Sequence, residues 1–160
     1  MKRLPRPPFG HESALAKVQA AKNAWNSRDP ERVTQAYSFD SVWKNRDGFF
    51  QGRDAIQQFL ENKWEKKLHY KLMKELWAYS NNRISVRLEY EWQCAQTVQW
   101  IPTQRNKHWE FENDSYMRHR DMNANDVSIT SCDHRIGQEE KTTSTQTMKN
   151  PWKFTLKLYL

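Results

Sequence analysis

Arg83-Ile84-Ser85-Val86-Arg87-Leu88-Glu89-Tyr90-Glu91-Trp92 alternates polar and apolar residues without a break. Successive side chains of a strand point to opposite faces, so Ile84, Val86, Leu88, Tyr90 and Trp92 share one face. Arg83, Ser85, Arg87, Glu89 and Glu91 share the other. A strand with one apolar face belongs in an antiparallel sheet that is covered on one side. Just upstream, Asn81-Asn82 is a good two-residue turn. Before that turn, Leu68 to Tyr79 alternates imperfectly, with Leu72, Leu76 and Trp77 available to a core. Downstream, Val98-Gln99-Trp100-Ile101 begins another strand that Pro102 interrupts, which suggests an edge or a bulge. Arg105 to Phe111 resumes it, Asn113-Asp114 turns the chain, and Tyr116 to Asn125 is a last strand.

Nearer the start the period changes to that of a helix. Ala14, Leu15, Val18, Ala21, Ala24 and Trp25 fall on one face between His11 and Asn26. Asp29-Pro30-Glu31 combines an N-cap with proline at the first helical position and opens a short helix to about Tyr37. Ser38-Phe39-Asp40 reads as a turn, and Ser41 to Arg46 as a short strand broken by Asp47 and Gly48. Gly52-Arg53-Asp54 opens a third helix to about Lys67. Its stripe is Ala55, Ile56, Phe59, Leu60 and Trp64, with Lys63, Glu65, Lys66 and Lys67 expected in solvent. The order predicts an α+β fold, with helices packed on one face of a curved antiparallel sheet.

The chain has 160 residues, room for one core. Its hydropathy is low, yet eight Trp, seven Phe and six Tyr argue against disorder. Residues 1–10 read as a disordered arm, 11–129 as the domain, and 130–160 as a divergent, flexible tail. Within the tail, 131–150 reads as disordered. Pro151 to Leu160 alternates and suits a sixth strand, a strand added to a partner or a sticky end. The net charge is +7, but residues 10–129 hold 18 basic and 16 acidic groups. Most of the excess therefore sits at the ends, so specific nucleic-acid binding is not expected. No stretch is apolar enough to span a membrane. The basic start lacks an apolar segment behind it, and Cys94 and Cys132 make neither a disulfide framework nor a metal motif. A reducing, cytoplasmic setting is the expectation.

Ala24-Trp25-Asn26-Ser27-Arg28-Asp29-Pro30-Glu31, Tyr37 to Asn45 and Gly52 to Leu60 resemble the opening of nuclear transport factor 2-like (SnoaL-like) proteins. Lys74-Glu75-Leu76-Trp77-Ala78, the Arg83–Trp92 strand, Trp109-Glu110-Phe111 and Asn125-Asp126-Val127 resemble the DUF1348 branch of that superfamily. The resemblance runs from about Pro8 to Ile129. It implies a cone: a bent sheet whose concave side is closed by three helices, often paired as a homodimer through the outer face. The superfamily holds isomerases, cyclases, dehydratases and hydrolases beside binding modules, so fold alone decides no activity.

Compared with ketosteroid isomerase, the base position falls on Asn45, and the two donor positions fall on Ala21 and Lys107. Asn takes no proton at neutral pH and Ala donates none, so that chemistry is excluded on this threading. Alternation sends His108 and His119 away from Trp109 and Arg120, which removes a histidine pair. The same alternation gives the inward set: Trp43, Asn45, Tyr90, Trp92, Lys107, Trp109, Arg118, Arg120 and Met122. Its cations suit an anion-holding site, with Arg120 as a forked donor to carboxylate or phosphate. Lys107 serves there as a second charge, a low-pKa base or a Schiff-base amine. They also suit a solvated mouth, or pairing to acidic neighbours. Trp25, Trp43, Trp64, Trp77, Trp92 and Trp109 are either pocket lining or plain core. Arg87, Glu89 and Glu91 form either a wet outer face or a polar dimer surface. No metal spacing, phosphate loop or cofactor motif is present. The expected ligand is thus a small aromatic or anionic molecule, bound or turned over without a cofactor. The alternative is a non-catalytic interaction and dimerisation module.

Overall fold

The computed structural model describes residues 5–45 and 48–126, and side chains as far as Asn123. Helix α1 spans His11–Asn26 and α2 spans Pro30–Thr34. Strand β1 (Tyr37–Lys44) and the short β2 (Phe49–Gln51) precede α3 (Arg53–Lys66). Strands β3 (Lys67–Ser80), β4 (Arg83–Cys94), β5 (Trp100–Phe111) and β6 (Met117–Asp126) complete the described chain. The six strands form one curved sheet in the order β2-β1-β6-β5-β4-β3. The β3–β6 run is an antiparallel meander, and β1 joins β6 in parallel.

Local chemistry explains the boundaries. The Gly10 N–H donates to the Ser13 hydroxyl at 2.9 Å, satisfying one of the open donors at the start of α1. Asp29 Oδ1 accepts from the Arg32 N–H at 3.1 Å and caps α2. Gly52 precedes α3 at φ 85°, a conformation that favours glycine. At the far end of α1, the Asn26 amide makes two bonds to one residue of β3. It donates to the Leu72 carbonyl at 3.0 Å and accepts from the Leu72 N–H at 2.9 Å. That side chain behaves as a short piece of strand and fixes the neighbouring Trp25 over the sheet.

Ile84, Val86, Leu88, Tyr90 and Trp92 all point to the buried side of β4, as the alternation predicts. Among the described residues, no helix is long and apolar enough to cross a membrane.

Several expectations need correction. The turn expected at Ser38–Asp40 lies within β1, where pairing with β6 jumps from Tyr37↔Met117 to Val42↔His119. The polar residues mark an irregular strand rather than its absence. The expectation also omitted β2, which is only three residues long. Trp77 is no core residue: it sits where the β3·β4 register slips, is 59% exposed, and carries the Arg87 guanidinium 3.3 Å from its ring centroid. Glu89 and Glu91 are buried, so they form no wet outer ladder. Pro102 lies inside β5 opposite Glu91, while the described part of β6 pairs only as far as Thr103. It thus occupies a stretch with one described neighbour, as its missing N–H requires. Residues 5–10, expected as part of a disordered arm, are anchored. Phe9 is buried edge-on against Phe111, and its N–H donates to the Asn81 carbonyl at 2.8 Å. The expectations for residues 127–160, including the possible strand at Pro151–Leu160, lie outside the described residues.

Candidate functional site

Eight of the nine side chains expected to face inward are buried: Trp43, Asn45, Tyr90, Trp92, Lys107, Trp109, Arg120 and Met122. The sheet register brings them together. Trp43 of β1 lies opposite Arg120 of β6, Arg120 opposite Trp109 of β5, and Met122 opposite Lys107. Arg118 is the exception. Phe111 pairs with Met117 and Glu110 with His119, so Arg118 is the extra residue of a bulge. The bulge reverses the alternation, turning Met117 inward and Arg118 outward. Arg118 lines a separate depression of about 460 Å³ with Glu110, Asp114 and Asn82.

Arg120 organises one end of the site. Its Nη1 donates to Asn45 Oδ1 at 2.9 Å and its Nη2 contacts Met122 Sδ at 3.2 Å, while Nε is buried without a hydrogen-bond partner among the described residues. The guanidinium lies 4.0 Å from the Trp43 ring centroid. Asn45 therefore orients a cation and is no vacant base. His108 bonds to Ser85 on the other face, and His119 lies 3.5 Å from Glu110, as the alternation predicts.

Three further cations join this set. Lys63 was expected in solvent, but its amine lies 4.5 Å from the Trp25 ring centroid and 4.9 Å from that of Tyr70. The Lys74 amine is buried, without a hydrogen-bond partner among the described residues, 5.1 Å from the Trp109 centroid and 5.4 Å from that of Trp25. Arg105 lies 5.1 Å from the Tyr90 centroid, with Nη1 2.9 Å from Met122 Sδ. Lys107 is 2% exposed, its amine 4.2 Å from the Trp25 centroid. Trp25 is thus surrounded by the heads of Lys63, Lys74, Lys107 and Arg120, drawn from α3, β3, β5 and β6. Each missed position was readable. Lys63 follows Ile56 and Phe59 at seven and four residues on the α3 stripe. Lys74 shares parity with Leu72 and Leu76, and Arg105 with Lys107 and Trp109.

No carboxylate is among the charges acting on Lys63, Lys74, Lys107 and Arg120. Burial drives the Lys63, Lys74 and Lys107 amines well below their usual range, and neighbouring cations push them further down. Burial also lowers Arg120 to about 10, with the Tyr37, Tyr70 and Tyr90 hydroxyls acting in the other direction. Tyr70 is pushed well above its usual value by burial and Tyr37 to about 12, so both remain neutral donors. A ring contact stabilises a desolvated cation by about 2 kcal/mol, whereas burying the charge costs several. The rings alone do not balance the cluster. It either sheds protons from its amines or takes in an anion.

That arrangement has a pH signature. Between the lowered folded values of the lysines and their unfolded value of about 10.4, the unfolded chain binds more protons than the folded one. Stability therefore rises with pH through this alkaline window. Above about 10 the late ionisation of Tyr37 and Tyr70 opposes this rise, while Arg120, losing its proton at about 10, extends it. The thermal unfolding midpoint should therefore rise through the alkaline range up to about pH 10. A midpoint falling steadily from pH 7 would contradict the charge assignment.

A depression of about 490 Å³ between α1, α2 and the sheet is lined by Ala20, Ala21, Ala24, Arg32 and Trp109, among others. Trp109 also faces Lys74, so this depression borders the cationic cluster.

The family model for DUF1348, a protein family of unknown function, matches residues 7–137. The chain belongs to the DUF1348 family. The match passes the domain end expected at residue 129. No curated protein matches the sequence. Among solved structures, a nuclear transport factor 2-like protein of unknown function from Burkholderia pseudomallei aligns with a TM-score of 0.62 at 19% identity. That alignment covers 69% of this chain and 88% of the other. The epoxide hydrolase/cyclase-like enzyme SalBIII of salinomycin pyran ring formation aligns at 0.62 and 9% identity, covering 69% and 89%. The pinacolase BvnE from Penicillium brevicompactum aligns at 0.61 and 9% identity, covering 71% and 86%. At these identities the likeness establishes the fold: this DUF1348 protein is an NTF2-like α+β cone.

Proposed function

We propose that this DUF1348 protein binds a small, anionic, partly aromatic molecule against Trp25, Trp43 and Trp109, and acts on it by acid–base chemistry without a cofactor. The observation that carries the reading is the gathering of Lys63, Lys74, Lys107, Arg105 and Arg120 around shared rings. No carboxylate stands among the charges acting on the lysines and Arg120. An anion entering there meets preorganised cations in a low-dielectric setting, where each contact is stronger than in water. Arg120, already oriented by Asn45, offers a carboxylate its fork. Flat rings suit an aromatic or unsaturated body. Lysines with lowered proton affinity supply bases, and the neutral tyrosines supply acids. Structural neighbours named as a hydrolase/cyclase-like enzyme and a pinacolase lend the catalytic part support at the level of fold.

Thermal shift with matched aryl carboxylates and aryl amines tests the binding part. At a hundredfold excess over Kd, the carboxylate is expected to raise the unfolding midpoint by roughly 5–10 °C. The amine is expected to do nothing, and Arg120→Met to lose the response. Equal responses to both ligands, or none to any carboxylate, would remove the reading.

A further inference from the structure

Lys107 is on the central strand β5, almost wholly buried, with Arg120 on the adjacent strand and facing the same side. The two are diagonal neighbours: Met122 is opposite Lys107, and Arg120 precedes it by two residues. At such spacing Cα atoms lie roughly 7–8 Å apart, and long side chains reach a common small molecule. A lysine amine becomes nucleophilic when it is desolvated or placed beside another cation, since either keeps it neutral. Lys107 meets both conditions. Its amine lies over Trp25, among the heads of Lys63, Lys74 and Arg120 around the same ring. No acid shares that ring among the described residues.

We propose that Lys107 forms a Schiff base with the carbonyl of a small keto or aldehydo acid, whose carboxylate Arg120 holds. The inference rests on the anion reading above and adds the reacting group and the substrate class. The neutral amine's lone pair forms the C–N bond as the carbonyl π pair moves onto oxygen. Both amine protons then pass to that oxygen, which departs as water and leaves C=N. Nothing is oxidised or reduced. The nearby cations favour the neutral amine before attack; when the imine nitrogen then takes up a proton from water, the bound carboxylate balances its charge. Arg120 and Lys107 together thus select molecules bearing a carbonyl close to a carboxylate.

The test is reductive trapping of the full chain with pyruvate or phenylpyruvate and cyanoborohydride at neutral pH, followed by intact-mass and peptide mapping. The expected result is one dominant adduct, on Lys107, that is lost in Lys107→Arg. Mapping on the unaltered chain gives the answer even where that variant folds poorly. Adducts spread over exposed lysines, or dominant at Lys63 or Lys74, overturn the proposal. A non-carbonyl aryl carboxylate run in parallel by thermal shift separates the two readings. Stabilisation without a Lys107 adduct removes the Schiff base and leaves the anion site, whereas no stabilisation by any carboxylate removes the site itself.

Discussion

Lys107→Met is expected to make this protein more stable, by about 1–4 kcal/mol, while abolishing its response to anions. The reason is the absence of an offsetting partner among the described residues. Replacing even a well-paired buried ion by an apolar side chain of similar size is often neutral or stabilising. Here the amine contacts the Trp25 ring, while Arg120, Lys74, Lys63 and Arg105 all work against its charge. Methionine fills the same channel with an adaptable chain that contacts indole favourably. Urea unfolding measures the change, with an unaltered slope showing that the same surface is exposed. The alkaline gain in stability should shrink as well, since one of the three lowered lysines is gone. A destabilised variant would mean that the amine has a partner worth more than its desolvation. A residue that costs stability yet is held at the centre of the fold is what a functional site looks like.

Trp25→Ala is expected to act in the opposite sense and to cost about 3–5 kcal/mol. Trp25 is 3% exposed, stacks on Trp43 at 6.0 Å and meets Trp64 edge-on at 5.8 Å. Truncation leaves a cavity between α1 and the sheet, and removes the π face that four cationic heads share. The lost ring contacts make this tryptophan more costly to remove than an indole in a plain apolar core. Trp25→Phe keeps a smaller face and should fall between the two. A loss below about 1 kcal/mol would show that the helix and sheet collapse onto the vacancy, and that the ring does not organise the cluster.

Much of this was readable from residue order. The uninterrupted alternation from Arg83 to Trp92 set the sheet, and its phase carried over correctly to Trp109, Lys107 and Arg120. Helix α1 shows both of its ends in the sequence, because a 3.6-residue stripe ends where Asn26 reaches across to Leu72. Period two failed at bulges. It misplaced Arg118, where β6 gains a residue against β5, and Trp77, where β3 slips against β4. A bulge depends on what the neighbouring strand does and leaves no mark in the strand's own alternation. The cationic cluster was half visible. Lys63 was assigned to solvent because lysine usually belongs there, although its spacing from Ile56 and Phe59 places it on the buried stripe. Residue type overruled geometry, and geometry was the better guide. The burial of Glu89 and Glu91 was also missed, because the strand's pattern says only which face they occupy.

Lys63, Lys74, Lys107 and Arg120, with no carboxylate among the charges acting on them, wait for an anion. Calorimetric titration with an aryl carboxylate at neutral pH, repeated in buffers of different ionisation enthalpy, addresses this directly. If the lysine amines shed protons in the empty protein, binding must draw protons in, and the apparent enthalpy will change with the buffer in proportion to that uptake. Saturable binding with net proton uptake is expected, both lost in Arg120→Met. Binding that leaves proton balance unchanged, or no binding by any small carboxylate, would contradict this.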